Sequence, residues 1–337
     1  MRNNQQLGVA VSGLGVGERH ARMISTMSEV KLLKLYDPDQ EKADLLSAEL
    51  LVEKAESFND FLQDERIDIV IIASPDHFHA EQVIAAINSN KHVFAEKPLC
   101  NTIDELRNII DVWRSHSGKL QLHSNLILRA APLYQWLKKQ IEEGLLGDIY
   151  AFDGDYLYGR LEKILNGWRG TGENYSGMKG GGVHLIDLMC WLTGQRPISV
   201  LTMGNAICTS NSSITIDDQM SAMFRFDSGL IGRITANLGC VHRHQHVLRI
   251  FGTKATFIYD DSGARIHLSR DPALRATPVE LNPLPVDKSD LLPAFFNALR
   301  GNLDTLKQTE ESFAIVSACF ASDKSLSSGK EEPIKYI

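Results

Sequence analysis

At 337 residues the chain is long enough for about two domains of roughly 150 residues each, and it can bury a core without disulfides or metals. Its 43% hydrophobic and 23% charged residues exclude disorder, and a net charge of −7 argues against a nucleic-acid partner, whose phosphates need clustered cations. The five cysteines, Cys100, Cys190, Cys208, Cys240 and Cys319, are dispersed without a CxxC pair. With no signal h-region and no apolar run of about 18 residues, this predicts a reduced, cytoplasmic protein without a membrane partner.

In chain order, residues 7–12 read as a buried strand, followed by glycines, an amphipathic stretch at 18–28 and a second strand at 31–36. The alternation continues with a helix at 39–51, a strand at 68–73, a helix at 77–88, a strand at 92–95, a helix at 103–115 and a strand at 119–123. Strands separated by helices of this length predict an α/β domain with a doubly wound parallel sheet over residues 1–124. After a helix at 132–143 the period changes to that of longer strands at 149–158, 220–226, 229–237 and 246–251. Asp227-Ser228-Gly229 and Asp261-Ser262-Gly263 are hairpin signals, so 125–337 is expected to be an α+β domain with a large, open, mostly antiparallel sheet. Residues 159–182 form a glycine-rich connection longer than ordinary loops, a length associated with function.

Gly13-Leu14-Gly15-Val16-Gly17 follows a strand and opens a helix, where backbone N–H groups can approach a pyrophosphate at a positive helix terminus. Asp37 ends the next strand, where a carboxylate accepts from adenosine ribose hydroxyls and repels a 2′-phosphate, so NAD is expected in preference to NADP. Asp37 ahead of Pro38 also reads as a helix N-cap, and the two roles are compatible. Glu18 stands where the fingerprint usually has its third glycine, with Gly17 one place early, and Glu18 is expected to point away from the phosphates.

Three motifs in order, Ala73-Ser74-Pro75-Asp76-His77, Glu96-Lys97-Pro98 and Gly180-Gly181-Gly182-Val183-His184-Leu185-Ile186-Asp187, resemble the glucose-fructose oxidoreductase, inositol dehydrogenase and rhizopine catabolism (Gfo/Idh/MocA) family. The likeness extends to Gly144–Asp148, Phe251-Gly252-Thr253-Lys254, and Pro293-Ala294-Phe295 through Ser328-Gly329-Lys330. The resemblance implies a Rossmann domain, a second domain forming the substrate site and the oligomer contact, and NAD(P)-dependent oxidation or reduction of a CH–OH group of a sugar, sugar derivative or polyol. It implies cofactor contacts at Ser74, Pro75, His77, His79, Glu96 and Lys97 beside Gly13, Gly15, Val16, Gly17 and Asp37. It also implies Lys97 as catalytic acid/base and a catalytic or substrate role for His184. Many members carry an aspartate four residues before that histidine. Here the position is Gly180, which departs from a three-residue Asp-His-Lys relay.

Hydride transfer from a carbinol carbon needs a group that removes the hydroxyl proton, and the reverse needs one that supplies it, both within reach of a lysine. Asn125, Tyr156, Arg160, Trp168, Arg169, Lys179, Asp187 and His244 are the candidate substrate contacts, Asp187 as an orienting or packing residue one helical turn from His184. The cationic character of residues 156–184 suggests a hydroxyl-rich substrate with negative charge, such as a sugar nucleotide or sugar acid, with neutral polyols also compatible. His242, His244 and His246 alternate along an expected strand, open to a metal, to substrate contact or to an ordinary half-exposed face; no metal is expected, since Lys97 chemistry needs none. An NAD-retaining hydrolase or epimerase and a non-catalytic NAD sensor are the alternatives. The one-sided sheet, with apolar residues such as Ile231, Ile234 and Leu238, together with the resemblance, predicts a homo-oligomer, a dimer or a tetramer.

Overall fold

The structure, a computed structural model, describes residues 6–167, 175–214, 216–301 and 306–337. The chain divides into two compact units. One comprises the chain up to Ile127, Val286–Phe313 and Ile337; the other comprises Leu128–Pro285 and Ala314–Tyr336. The contiguous division expected after residue 124 therefore differs from this partition, because Val286–Phe313 returns to the first unit. The physical reason is the helix Leu292–Gly301, whose Leu292, Phe295 and Phe296 are buried in one core with Val9, Val11, Ile69, Ile71 and Phe94. Each such side chain contributes about 1.5–3 kcal/mol of burial.

The first unit carries a six-stranded parallel sheet among the described residues, in the order β3-β2-β1-β4-β5-β6. The strands are β1 Leu7–Ser12, β2 Val30–Tyr36, β3 Glu53–Lys54, β4 Ile69–Ile72, β5 His92–Ala95 and β6 Leu122–Ser124. The central strands β1 and β4 are almost continuously apolar and buried, as strands covered on both faces must be. Chain order reverses between β1 and β4, and the carboxyl ends of the strands on either side of that point form the crevice where ligands of such sheets bind. The edge strand β6 is covered, with the Leu122 and Ser124 N–H groups donating to Thr309 Oγ1 and Ser312 Oγ at 3.2 and 3.4 Å.

The second unit is built on a nine-stranded mixed sheet among the described residues, in the order β14-β13-β12-β11-β7-β10-β9-β8-β15. These strands are β7 Ile149–Leu157, β8 Ser199–Asn205, β9 Gln219–Arg225, β10 Ile231–Asn237, β11 Gln245–Gly252, β12 Thr256–Asp260, β13 Gly263–His267, β14 Thr277–Val279 and β15 Glu332–Pro333. All pairs are antiparallel except β7 with β10. Both expected hairpins form, with Gly229 and Gly263 at φ of +87° and +88°, a conformation that costs glycine nothing. The expected long connection at 159–182 is partly helical: Leu161–Leu165 is a short helix, and Met178–Gly182 is a π-type turn running directly into the helix Val183–Thr193.

The two faces of this sheet differ. Phe152, Ile234, Ala236 and Ile250 are buried on one, where the helix Val183–Thr193 packs: a side chain at Gly154 would meet Leu185 at 3.3 Å. On the other, Asp155 accepts from Thr235 Oγ1 at 2.6 Å and pairs with Arg233 at 2.7 Å and Arg249 at 3.3 Å. Burial pushes the Asp155 carboxyl up, but these partners hold it below the usual carboxylate value. Leu201, Met203, Met223 and Ile231 are exposed. Of the residues whose alternation suggested an uncovered apolar face, only Ile231 lies there; Ile234 and Leu238 are buried, because their position along β10 is of opposite parity or beyond its end. Among the described residues no helix is long and apolar enough to cross a membrane.

Candidate functional site

In the first unit the glycine loop lies between the carboxyl ends of β1 and β4. Gly13 has φ of +84°, its N–H donates to the Tyr36 carbonyl at 2.8 Å, and a Cβ there would lie 2.5 Å from the backbone of Ala73 and Ser74. Gly15 is exposed, and a Cβ there would meet nothing within 4 Å. Gly17 begins the helix Gly17–Ser25 and presses on β1, with a Cβ position 2.9 Å from Val11 Cγ1. Gly17 thus supplies the close helix-strand packing for which the fingerprint's third glycine is used. Glu18 points to Arg22, pairing at 3.0 Å on an exposed surface, as expected. Val16, the N-cap of this helix, makes no side-chain cap bond, which leaves first-turn N–H groups to a ligand anion.

Asp37 closes this loop. Its Oδ2 accepts from the Leu14 N–H at 2.6 Å and its Oδ1 from the Asp39 N–H at 2.9 Å. The N-cap of the following helix is Asp39, which accepts from the Lys42 N–H at 3.2 Å, so Asp37 is the loop's anchor instead. An open glycine, an uncapped helix start and a fixed carboxylate just after β2 fit a dinucleotide.

Beyond β4, Ser74 Oγ donates to Gln82 Oε1 at 2.8 Å, Pro75 is exposed, and the exposed His77 ring rests against Phe78 at 4.1 Å. His79 is buried: Nδ1 lies 2.7 Å from the Pro98 carbonyl oxygen and Nε2 2.8 Å from that of Ser74. The imidazole therefore ties the loop after β4 to the turn after β5. That turn is Glu96-Lys97-Pro98, with a cis Lys97-Pro98 peptide and the Glu96 N–H donating to the Ile72 carbonyl at 2.8 Å. Lys97 is half-buried. Glu96 Oε1 accepts from Asn125 Nδ2 at 2.7 Å and from His20 Nε2 at 3.1 Å. Burial alone would raise the Glu96 carboxyl, yet the bonds and charge of His20, the Asn125 amide and the Lys97 charge hold it below the ordinary value. The amide nitrogen of Asn125, a residue expected among the substrate contacts, donates to Glu96 and to the Lys288 carbonyl at 2.9 Å, while its Oδ1 is buried without a hydrogen-bond partner.

In the second unit the triglycine run admits two tyrosines. A Cβ at Gly180 would overlap the Tyr175 hydroxyl, and one at Gly181 would overlap the Tyr156 ring. His184 follows in the first turn of the helix Val183–Thr193, half-buried, its ring 5.7 Å from His246. His246 lies 5.2 Å from His244, and Tyr156 contacts both at 5.3 and 5.4 Å while stacking on Tyr158 at 5.9 Å. His184, His244, His246, Tyr156 and Tyr158 thus form one cluster.

His242 is not part of it. The backbone bends ahead of β11, and His242 pairs outward with Asp261 at 2.9 Å, so the three histidines do not share one strand face. Among the described residues no group of three or more His, Cys, Asp or Glu side chains is placed to hold a metal. Lys179 is buried against Asp323 at 3.3 Å, and Asp187 is buried in a multiple-contact pair with Arg129, the closest approach being 2.6 Å. Arg160 is exposed; Trp168 and Arg169 lie outside the described residues.

Two family models cover most of the chain: an oxidoreductase family model with an NAD-binding Rossmann fold matches residues 7–124, and the GFO/IDH/MocA C-terminal domain matches 134–258. The chain belongs to the Gfo/Idh/MocA family. Within it, the chain is 27% identical over 230 residues to levoglucosan dehydrogenase of Pseudarthrobacter phenanthrenivorans, a match covering 59% of this chain and 57% of that protein. It is 28% identical over 258 residues to the scyllo-inositol 2-dehydrogenase (NAD(+)) of Bacillus subtilis, covering 74% and 73% of the two chains. It is 25% identical over 265 residues to the 2,7-anhydro-N-acetylneuraminate hydratase of Escherichia coli, covering 75% and 68%. The fold matches a levoglucosan dehydrogenase structure in complex with NADH at a TM-score of 0.83, with 21% identity and coverage of 99% and 100%. It also matches myo-inositol 2-dehydrogenase of Lactobacillus plantarum at 0.77, with 22% identity and coverage of 98% and 100%.

Sequence reasoning passed over His20 and Tyr175. For His20 a signal exists: it sits with Gly17, Ala21 and Ile24 on the buried stripe of its helix, where an imidazole needs polar partners. Tyr175 has none, because its contact with Gly180 depends on the π-type turn.

Proposed function

We propose that the protein is an NAD-dependent dehydrogenase or reductase acting on a CH–OH group of a sugar, a sugar derivative or a polyol. The observation that carries this reading is Lys97 on a turn at the carboxyl end of β5, in the same unit and sheet crevice as the glycine loop and Asp37. Nicotinamide, when bound, supplies the hydride acceptor or donor. Lys97 Nζ takes the hydroxyl proton in the oxidative direction and returns it in the reductive one. His184 orients the hydroxyl or shares the proton, and the imidazole and phenol groups around Tyr156 hydrogen-bond the remaining hydroxyls. Lys179 is committed to Asp323, which removes one of the cations that suggested an anionic substrate and favours a neutral ring. The relatives' names point the same way, to levoglucosan and inositols.

Incubation with NAD and a panel of inositols, anhydrosugars and sugar acids, followed by nicotinamide absorbance, tests this. Reduction of NAD with a neutral member is the expected result. Product formation without net reduction would favour the second reading, an NAD-retaining hydrolase or epimerase, for which the hydratase among the relatives speaks.

The fixed charge of Asp37 favours NAD over NADP, and Asp37→Ser should narrow the preference by about tenfold. Tighter binding of NADP than of NAD by the unaltered protein would sink the ribose assignment. The homo-oligomer, dimer or tetramer, is proposed to cover Leu201, Met203, Met223 and Ile231, whose exposure on one sheet face is otherwise costly. Light scattering at micromolar concentration checks it, and a monomer would refute it.

A further inference from the structure

We propose that His20 is a positioning residue for Lys97: its imidazole holds the Glu96 carboxylate beside the lysine. The helix Gly17–Ser25 buries His20 completely, and the ring has partners at both nitrogens. Nε2 donates to Glu96 Oε1 at 3.1 Å, and Nδ1 lies 2.9 Å from Ser289 Oγ. The same Glu96 oxygen takes the Asn125 amide at 2.7 Å, and that amide also reaches the Lys288 carbonyl. Asn125 stands just before the chain leaves this unit after Ile127, and Lys288 and Ser289 stand just after it returns at Val286. The Glu96-Lys97 turn is therefore moored to both of the segments through which the chain leaves and re-enters its own unit.

The consequence is electrostatic as well as steric. Glu96 is half-buried next to Lys97 in the chain, and the His20 and Asn125 donors, with the Lys97 charge, hold its carboxyl below the ordinary value against the effect of burial. Without the His20 donor, burial favours the neutral acid, the turn loses one of its fixed points, and the Lys97 ammonium loses part of the anion that steadies its proton.

Two isosteric replacements separate this role from a structural one. The Gln amide nitrogen reproduces Nε2, so His20→Gln keeps the bond to Glu96 and loses Ser289; the Asn amide reproduces Nδ1, so His20→Asn keeps Ser289 and loses Glu96. With the substrate found above, His20→Asn should lower kcat on the order of ten- to a hundredfold with KM and NAD affinity changed less, while His20→Gln stays within about threefold of the unaltered protein. The kinetic readout rests on the dehydrogenase reading. A second readout does not: competitive acetylation of Lys97 at one mildly alkaline pH, quantified by mass spectrometry in the full chain. Labelling of Lys97 should rise in His20→Asn and remain unchanged in His20→Gln. Equal Lys97 labelling in both variants, with thermal midpoints lowered alike, would overturn the proposal and leave His20 a structural residue. Altered labelling in a protein that reduces no NAD would uphold it while removing the dehydrogenase reading.

Discussion

Lys97→Ala should bind NAD nearly as tightly as the unaltered protein while turnover falls by roughly a hundred- to ten-thousandfold, the range expected for loss of a general acid/base. Binding is retained because the adenosine half is held elsewhere. Asp37 is fixed by the Leu14 and Asp39 N–H groups, and the glycine loop is fixed by Tyr36 and by its packing on Ala73. Lys97→Arg should not rescue, because a guanidinium does not release its proton at usable pH. His184→Ala should cost less if that ring only orients the hydroxyl; an equal or larger loss would move the proton role to His184. Nicotinamide fluorescence titration and initial rates with the substrate found from the panel measure both sides. Full turnover in Lys97→Ala would remove the mechanism and leave only the cofactor-binding claim.

The half of the site that was legible in the sequence is the half written locally. A buried strand, a glycine loop and a carboxylate at the end of the next strand lie within one βαβ unit, and the structure joins Leu14 to Asp37 as that order requires. The parts that were not legible depend on residues far apart along the chain. Glu96 meets His20 across 76 positions, and Leu292, Phe295 and Phe296 join the core of β1, β4 and β5 from the other end of the chain. No local periodicity encodes such a return. In the second unit the alternation of His242, His244 and His246 suggests one strand, but β11 begins at Gln245, so only His246 lies in it, and the bend before it turns His242 toward Asp261. Short pairings such as β3 and β15, two residues each, lie below the length at which an apolar alternation can be recognised.

The glycine loop yields the second large effect, a separation of stability from binding. Gly13→Ala places a Cβ 2.5 Å from backbone atoms of Ala73 and Ser74 at a φ of +84°, so neither the side chain nor the strand end can yield cheaply. Strain and overlap together should cost more than about 2 kcal/mol, and the thermal midpoint should fall accordingly. Gly17→Ala meets Val11 Cγ1 at 2.9 Å and Ala73 Cβ at 3.2 Å but carries no left-handed backbone strain, and it should cost less than Gly13→Ala. Gly15→Ala is the informative variant. Its Cβ meets no atom within 4 Å, so stability should change by less than about 1 kcal/mol. The same methyl would occupy the space through which the backbone approaches a pyrophosphate at the start of the helix Gly17–Ser25, and NAD affinity should drop roughly ten- to a hundredfold. Thermal unfolding and NAD titration on the three variants give an order of stability loss opposite to the order of exposure to ligand. Gly15→Ala binding NAD as tightly as the unaltered protein would show that the pyrophosphate does not pass over this loop, whatever the fold.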